Sequence, residues 1–450
     1  MHAEIKSGSA ANSPPYPNAA YAWYVVTILM VAYTFSFIDR QILNLIIGPV
    51  RADLQITDTQ ISLLQGLAFA LFYTFMGLPI AYWADRGNRR SIIVYGIALW
   101  SLMTFTCGLA RNFLFLFLAR MGVGVGEAAL TPPGYSLISD YFPPDKLSRA
   151  ISLFSGGAFL GSGLALIVGG WVIDLAMNMG DVSLPVIGVV RPWQMVFFCV
   201  GPPGVIVSLV VLLTVKEPLR RGLGDAGKKG VSVGEMFKFM DKNRRTFLFH
   251  FFGFSIMSLM GYGILSWTPT YFIRVHGWTP GMVGARFGLV VLIFGTIGVV
   301  GAGWIADHLR RRGYVDANMR TVMIAAALMI GIGPLAYFFD DAWSSLYLMI
   351  PATLLWSMTF GIGPAALQVI TPNRMRAQVS ALYQFVINLI GLTLGPTSVA
   401  LFTDYVFAGD EYVGYSIALM IVLTAPIAVL LLGLGLKHYR QSIEQVSANV

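Results

Sequence analysis

Two carboxylates and two arginines stand inside apolar stretches of this 450-residue chain. Asp39 and Arg40 interrupt the run FSFIDRQILNL, and Arg120 and Glu127 interrupt another apolar run further along. Ionisable groups that are buried this deeply normally face a bundle interior or a wet cavity, where they serve a function. A carboxyl group whose arginine partner moves between two states changes its proton affinity, which is the minimal requirement for coupling to protons.

Helix geometry predicts which of these charges can meet. Asp39 and Arg120 lie about nine and about seven residues from the same end of their helices, so they are level within one turn. Glu127 follows Arg120 by two turns and lies on the same face. We therefore predict a proton-coupling set in which Asp39 pairs with Arg120 and Glu127 is the main protonation switch. The alternative is a static buried ion pair that only fixes helix packing.

Arg40 requires a separate explanation, because it points about 100° away from Asp39 around the helix. Its planar guanidinium suits a phosphate or a carboxylate. We predict that Arg40 is left free for the anionic headgroup of a substrate. The alternative is an arginine whose charged head extends to the membrane surface.

The composition indicates an integral membrane protein. Apolar residues make up 56% of the chain, charged residues only 12%, and the mean hydropathy is +0.70. Two cysteines provide neither a disulfide framework nor metal-ligand spacing, so we expect no cofactor and no metal. The histidines lie in tails or near membrane surfaces without a nucleophile–base arrangement, which argues against an enzyme. The net charge of +8 suits anionic lipid headgroups, and we expect no nucleic-acid partner.

Twelve stretches of mostly apolar residues are long enough to cross a bilayer. The predicted spans are 22–48, 59–83, 91–110, 113–139, 147–173, 193–215, 246–274, 281–306, 320–339, 344–370, 374–404 and 412–437. The predicted organisation is a disordered tail over 1–20, a six-helix bundle over 21–215, a basic linker over 216–245, a second bundle over 246–438 and a tail over 439–450.

The basic residues predict the orientation. Of the 30 Lys and Arg residues, 23 fall in the two tails, the linker and the alternate loops that share one side with them, and four fall in the loops of the other side. Because cytoplasmic loops carry the excess of Lys and Arg, we expect a multi-pass protein of the cell membrane with both termini cytoplasmic.

The chain repeats itself at an offset of 222 to 230 positions. AYWADRGNRR (81–90) aligns with GWIADHLRRR (303–312), which matches Asp85 with Asp307. Gly161 and Asp174 recur as Gly391 and Asp404. These ordered matches indicate two homologous six-helix halves.

Six plus six helices, a basic central loop and the motif after the second helix resemble the major facilitator superfamily, whose signature there is roughly GxxxDRxGRR. The resemblance implies an all-α fold with 6+6 pseudo-symmetry, a site between the halves and alternating access. A carboxylate is favoured beside a helix N-terminus, so we predict a cytoplasmic gate made by Asp85, Arg86 and Arg90, with Asp307 as its counterpart in the second half. The alternative is that the basic residues of 84–90 only determine on which side of the membrane this loop lies.

Several segments also resemble the spinster proteins, which transport sphingolipids and lysolipids. They are FIDR (37–40), ISLLQ (61–65), ADRGNRR (84–90), ARMGVGVGEA (119–128), SLISDYFPPDKLSRA (136–150) and GSGLALIVGG (161–170). The resemblance implies that Asp39 and Arg40 fall where that family binds the headgroup. It places Arg120 and Glu127 among the coupling residues of the fourth helix.

The second half contains no matching set of buried charges, and its helices offer neutral groups such as Gln384 and Asn388. One charged wall and one apolar wall would suit an amphipathic substrate. We therefore expect a monomeric, proton-coupled secondary transporter of a lipid of the sphingosine phosphate or lysophospholipid type. The alternatives are a transporter of a small organic anion or drug, and a membrane sensor that does not transport.

Overall fold

The computed structural model describes residues 16–185, 187–220, 232–372 and 375–448. Within these ranges, twelve helical stretches are long and apolar enough to cross a membrane, which confirms the predicted number. We number them spans 1 to 12, with the bounds Ala19–Leu45, Asp58–Ala84, Arg89–Cys107, Phe113–Tyr141, Arg149–Met179, Pro192–Thr214, Arg244–Arg274, Pro280–Arg311, Ala317–Leu335, Ala342–Ile370, Gln378–Phe407 and Asp410–Gln445.

Several spans are interrupted. The α-helices cover Ala19–Gln41, Ile47–Leu54, Asp58–Gln65, Leu67–Arg86, Arg89–Cys107, Phe113–Glu127, Thr131–Tyr141, Pro144–Met179, Pro192–Thr214, Val233–Lys242, Arg244–Arg274, Pro280–Val290, Thr296–Arg311, Ala317–Leu335, Ala342–Ile370, Arg376–Leu401 and Val413–Ala448. Short 3₁₀ or π segments occupy Ile42–Leu45, Val291–Gly295, Phe402–Phe407 and Asp410–Tyr412. Strands β1 (Val182–Leu184) and β2 (Gly188–Val190) pair antiparallel between spans 5 and 6, with Val182 opposite Val190.

Side-chain caps fix where several helices begin. Asn88 and Asn112 accept hydrogen bonds from the third residue of spans 3 and 4, which satisfies amides that have no partner inside the helix. Thr57 and Gln60 form a reciprocal capping box at the start of span 2. These helix boundaries are therefore set by local sequence and do not require contacts between helices.

Two segments differ from the predicted organisation. The predicted linker 216–245 contains the helix Val233–Lys242, which begins at a capping box formed by Ser232 and Glu235. The helix of span 12 continues to Ala448, so most of the predicted tail 439–450 is helical. The helix Val233–Lys242 has only ten residues, and the end of the span 12 helix is polar, so a search for long apolar stretches finds neither.

The first and last described residues, 16 and 448, lie at the same end of the bundle, because an even number of spans separates them. We call it the basic end, because the segments of the chain at this end carry most of the Lys and Arg residues; the other end is the opposite end. Most buried apolar side chains form one large core between the spans, and Ile80, Ala128 and Ala129 form a small separate cluster. Large apolar side chains such as Tyr95, Leu213 and Trp304 are exposed on the outside, as expected of a surface that faces lipid.

The two six-helix halves meet mainly along spans 5 and 8 and along spans 2 and 11. Glycines allow the backbones to approach closely at both contacts. A Cβ atom at Gly284 of span 8 would collide with the carbonyl of Leu166 in span 5, and one at Gly66 of span 2 would collide with the carbonyl of Leu392 in span 11. Small residues are the usual means of bringing membrane helices together.

Candidate functional site

The buried charges lie beside breaks in two helices. The helix of span 1 ends at Gln41 and passes into a 3₁₀ turn. Span 4 is interrupted directly after Glu127, and its second helix starts at Thr131. Irregular backbone at membrane depth is tolerated only where it is buried in protein or lines a cavity, and broken helices commonly mark binding sites in transporters.

Arg40 forms an ion pair with Glu127. Its Nε and Nη2 atoms both lie 2.6 Å from Oε2 of Glu127, whose side chain is fully buried. Three aromatic rings surround the guanidinium carbon, at 4.7 Å (Phe37), 4.4 Å (Phe69) and 4.7 Å (Tyr73) from the ring centroids. We call these three rings the aromatic cage. Cation–π attraction adds to the ion pair in holding the charged group.

The prediction that Arg40 is free is therefore wrong in this state. Side chains on a helix tilt toward its N-terminus, so the long side chain of Arg40 extends back along span 1 toward the basic end. Glu127 lies two turns closer to that end than Arg120 does. Spacing along the helix axis gives the depth of Arg40 but not the direction of its side chain, so it does not predict this pair.

Arg120 does not form an ion pair with Asp39 either. Its guanidinium donates to the backbone carbonyls of Asp39 at 3.1 Å and Leu64 at 3.3 Å. Both carbonyls lie in the last turn of a helix, where they have no partner within the helix. Arg120 therefore caps the broken helices of spans 1 and 2. The two residues are level as predicted, but the predicted charge pair is wrong, because Nε and Nη1 of Arg120 are directed at main-chain oxygens and not at the Asp39 carboxylate.

Part of the hydrogen-bonding capacity of these charges is unused. Oδ2 of Asp39 accepts a hydrogen bond from Thr104 at 3.1 Å. Oδ1 of Asp39, Oε1 of Glu127 and Nη2 of Arg120 have no hydrogen-bond partner among the described residues. Buried polar atoms are nearly always satisfied, so three such atoms in one cluster are available to a proton, a water molecule or a ligand.

A central cavity of about 120 Å³ lies next to Arg40, between the two halves. Its wall from the second half is mainly apolar and aromatic, with two amides, and consists of Tyr262, Leu265, Trp356, Phe360, Gln384 and Asn388. Its wall from the first half consists of Tyr33, Phe37, Arg40, Tyr73, Ala158, Phe159 and Ser162. Arg40 is thus the one charged side chain among described residues that line the cavity, in otherwise apolar, aromatic and uncharged polar surroundings.

A second cavity, of about 200 Å³, shares Tyr73, Gln384 and Asn388 with the central one. It continues past Leu78 and Ala81, which lie on span 2 toward the basic end. The two cavities therefore follow one path from Arg40 toward the basic end.

Ion pairs close the opposite end. Asp58 is completely buried and accepts hydrogen bonds from Arg274 at 2.5 and 2.8 Å. Arg51 lies 3.5 Å from Asp58 and also pairs with Asp410. Burial opposes the charged form of Arg51, but its contacts with Asp410 and Asp58 raise the pKa of Arg51 above its ordinary value. We call these four residues the clasp.

Sequence reasoning missed the clasp, because its members are scattered over more than 350 positions. The arginines at the opposite end could have indicated these ion pairs. Arg51, Arg191 and Arg274 stand there against the general bias of the basic residues, and all three form ion pairs in the structure.

The residues predicted to form a gate are apart in this structure. The side chain of Asp85 lies outside the described residues. Arg86 stacks on Tyr82 of its own helix at 3.6 Å, Arg90 donates to the carbonyl of Leu212, and Asp307 lies 4.0 Å from Arg310 of its own helix. None of the ion pairs between described residues joins the two halves at the basic end.

Within the described ranges, no group of three or more His, Cys, Asp or Glu residues could hold a metal ion. The candidate site therefore consists of the buried charges, the two cavities and the clasp.

Comparison with known proteins supports a transporter. The family model of the Major Facilitator Superfamily matches residues 29–396. The chain is 25% identical to the MFS-type efflux pump of Mycolicibacterium smegmatis, over 94% of each chain. It is 27% identical to protein spinster homolog 1 of Xenopus tropicalis, over 86% of this chain and 73% of the relative.

Solved structures agree in fold. A bacterial homolog of the human lysosomal transporter spinster, in an inward-facing and unoccupied conformation, aligns with a TM-score of 0.78 and 26% identity over 95% of this chain and 98% of that one. A D-xylose–proton symporter aligns with a TM-score of 0.64 and 13% identity, over 91% of this chain and 97% of that one. At this identity the alignment shows only that the two folds are alike.

Proposed function

Because the chain belongs to the spinster family of the major facilitator superfamily, we propose that it transports an amphipathic lipid of the sphingosine phosphate or lysophospholipid type, by alternating access coupled to protons. The observation that carries this proposal is the central cavity. Its lining carries one charged group, Arg40, which stands among mainly apolar and aromatic side chains of both halves. A lipid with one anionic headgroup and one acyl chain matches this lining.

Arg40 would bind the headgroup. Its guanidinium forms two parallel hydrogen bonds with a phosphate or carboxylate when the geometry allows. Tyr33 and Tyr73 line the same cavity and offer hydroxyl groups to the remaining headgroup oxygens. The acyl chain would lie against Leu265, Trp356 and Phe360 of the second half.

Glu127 would couple transport to protons, because it competes with the headgroup for Arg40. A proton on Glu127 removes the negative charge that now pairs with Arg40, and the arginine becomes available to an anion. Protonation and headgroup binding therefore strengthen each other. Asp39 would share this role, since one of its carboxylate oxygens has no described partner. Arg120 would hold the broken helices of spans 1 and 2 in place.

The clasp and the predicted gate would alternate. In the structure the clasp joins the halves at the opposite end, and the cavities extend toward the basic end. When the clasp opens, the halves would close at the basic end, where Asp85, Arg86, Arg90 and Asp307 stand. We further propose that the basic end is cytoplasmic in a cell membrane, because it holds most of the Lys and Arg residues, and that the protein works as a monomer.

Transport into vesicles tests the proposal. The purified protein is reconstituted, a pH gradient is imposed, and uptake of a labelled lysophospholipid or sphingosine phosphate is compared with uptake of a small organic anion. We expect lipid uptake that responds to the gradient, loss of that response in Glu127→Gln and Asp39→Asn, and loss of lipid uptake in Arg40→Ala. Undiminished pH-dependent transport in both carboxyl variants would refute the coupling, and intact uptake in Arg40→Ala would refute the headgroup role.

Export of a small organic anion or drug is the second candidate. A relative described as an efflux pump aligns with the chain over 94% of both sequences, and Arg40 could bind the anionic group of such a compound. Uptake of the organic anion without any uptake of lipid would favour this candidate. Absence of flux for every compound would instead favour a membrane sensor.

A further inference from the structure

A cationic cavity of about 340 Å³ opens at the basic end, far from the central site. It lies where the helix Val233–Lys242, the start of span 7 and the end of span 12 meet. The charged or titratable side chains that line it are Asp241, Lys242, Arg244, Arg245, Lys437 and His438. Four cationic groups thus face one carboxylate.

The four cationic groups are not engaged elsewhere. Lys242, Arg244, Arg245 and Lys437 form no ion pair with any residue in the described ranges. Arg440, less than one turn beyond Lys437, does have a partner and lies 3.6 Å from Asp316. The floor of the cavity is neutral and ordered, since Thr246 and Ser442 share a hydrogen bond of 2.8 Å. The cavity therefore offers an excess of positive charge to a ligand.

Each side of the cavity continues into an exposed apolar stripe. On span 7, Leu248 and Phe252 follow Arg244 at intervals of four residues and are exposed. On span 12, Leu434 and Leu430 precede Lys437 by three and seven residues and are also exposed. These spacings put each stripe on the same helix face as its cation. Spans 7 and 12 pack directly against each other, so the stripes run side by side.

The helix Val233–Lys242 covers the cavity from the side of the linker. It buries Met236 and exposes Phe237, and it ends with Lys242. A short amphipathic helix with a basic residue at its end and an exposed aromatic ring is typical of helices that lie in the headgroup region of a bilayer. A cavity beside such a helix, at the start of span 7 and the end of span 12, would lie near the phosphate groups of the surrounding lipid.

We propose that this cavity binds one anionic diacyl glycerophospholipid from the bilayer. The phosphate lies among Lys242, Arg244, Arg245 and Lys437, and one acyl chain lies on each apolar stripe. The two stripes favour a lipid with two chains over the single-chain lipid proposed as cargo. This bound lipid remains attached to the second half and serves as a fixed component of the transporter.

Binding to the purified full-length protein tests this assignment. The probes are dioleoylphosphatidylglycerol, dioleoylphosphatidylcholine, which has the same chains but no net charge, and inorganic phosphate. Binding is followed by native mass spectrometry and by the shift in thermal unfolding. We expect phosphatidylglycerol to bind and stabilise the protein at concentrations at which the other two probes do neither. Similar stabilisation by phosphatidylcholine or by inorganic phosphate would overturn the proposal.

Two charge variants locate the site. Arg244→Gln/Lys437→Gln should weaken phosphatidylglycerol binding about tenfold or more, because it removes two of the four cations around the phosphate and basic residues near the surface attract anionic lipid. Arg311→Gln/Arg312→Gln, which removes the same charge from exposed positions at the same end, should bind like the unaltered protein. Equal loss in both variants, or loss in neither, would contradict the proposal.

A salt series on the unaltered protein gives a decision even if the first variant does not fold. Exposed charges are strongly screened at high ionic strength, so the affinity for phosphatidylglycerol should fall steeply between 0.1 and about 1 M salt. Affinity that does not change with salt would overturn the assignment. Because none of these measurements involves transport, the result is independent of the proposed cargo.

Discussion

Asp174 and Asp404, which lie 230 positions apart, each cap the first turn of a helix in the other half of the protein. Asp174 of span 5 accepts hydrogen bonds from Thr279 at 3.2 Å and Gly281 at 3.1 Å, at the start of span 8. Asp404 of span 11 accepts two from Thr59, at 2.6 and 2.7 Å, at the start of span 2. The internal repeat thus produces two equivalent contacts that tie the halves together at the opposite end.

Asp404→Asn should favour separation of the halves at that end, because a neutral amide interacts less well with a helix N-terminus and its donors. A loss of about 1.4 kcal/mol would raise the separated population about tenfold. The measurement is the labelling rate of a cysteine at Ser62, which is buried and contacts Thr397 across the halves at 3.3 Å, after both native cysteines have been replaced.

Asp341→Asn is the matched control for Asp404→Asn. Asp341 caps span 10 through Ser344 at 2.8 Å, but both residues belong to the second half. Its replacement should leave the labelling rate unchanged. Equal labelling in the two variants would mean that Asp404 does not hold the halves together.

Arg274→Gln should destabilise the protein by about 3–5 kcal/mol, because it leaves the buried carboxylate of Asp58 without its two strongest donors. Arg274→Lys keeps the charge without the fork that binds both oxygens and should lie in between. Thermal unfolding in detergent measures the loss. Arg191→Gln removes the half-exposed pairs with Asp53 and Asp181 and should cost less than about 1 kcal/mol. Similar losses for Arg274→Gln and Arg191→Gln would contradict a structural role of the clasp.

Glu127→Leu and Arg40→Met should not be additive. Removing one partner of a buried pair leaves an uncompensated charge and costs about 3–5 kcal/mol, whereas removing both often costs much less. The double variant should therefore be more stable than Glu127→Leu alone. A double-mutant cycle by thermal unfolding gives the coupling between the two residues. Simple additivity would mean that the ion pair is not formed in the folded protein.

Gly124→Ala should be more harmful than Gly122→Ala, although the two glycines are neighbours in one motif. A Cβ at Gly124 would lie 2.5 Å from the backbone oxygen of Phe69, which cannot move without span 2. A Cβ at Gly122 would meet the flexible side chain of Met103. We expect a loss of about 1–3 kcal/mol for Gly124→Ala and less for Gly122→Ala, measured by thermal unfolding. The reverse order would show that span 2 does not pack as described.

Much of the fold could be predicted from the sequence, because the membrane imposes simple rules on it. Each span must be apolar over about 20 residues, and the backbone must satisfy its own hydrogen bonds there. With these rules, most ends of the twelve spans are predicted to within a few residues. They do not apply at the membrane surface, and the helix Val233–Lys242 was therefore missed.

The site could be predicted only in part. Depth along the helices predicts that Asp39, Arg120 and Glu127 share one region, because the rise per residue is constant, and the structure places them there. Arg40, predicted to point away from this set, lies there as well. The partners within that region depend on where each helix ends and on the tilt of each side chain. Arg120 caps carbonyls that are exposed only because the helices of spans 1 and 2 break, and no pattern of apolar residues encodes that contact.

The aromatic cage has a consequence for the rate and affinity of anion capture. An arginine side chain that binds an anion normally loses rotational freedom, which reduces the affinity. Phe37, Phe69 and Tyr73 already restrict the guanidinium of Arg40 on three sides, in addition to its ion pair with Glu127. The arginine is thus preorganised: it changes partner without searching for a new conformation, and most of its entropy loss has already occurred during folding.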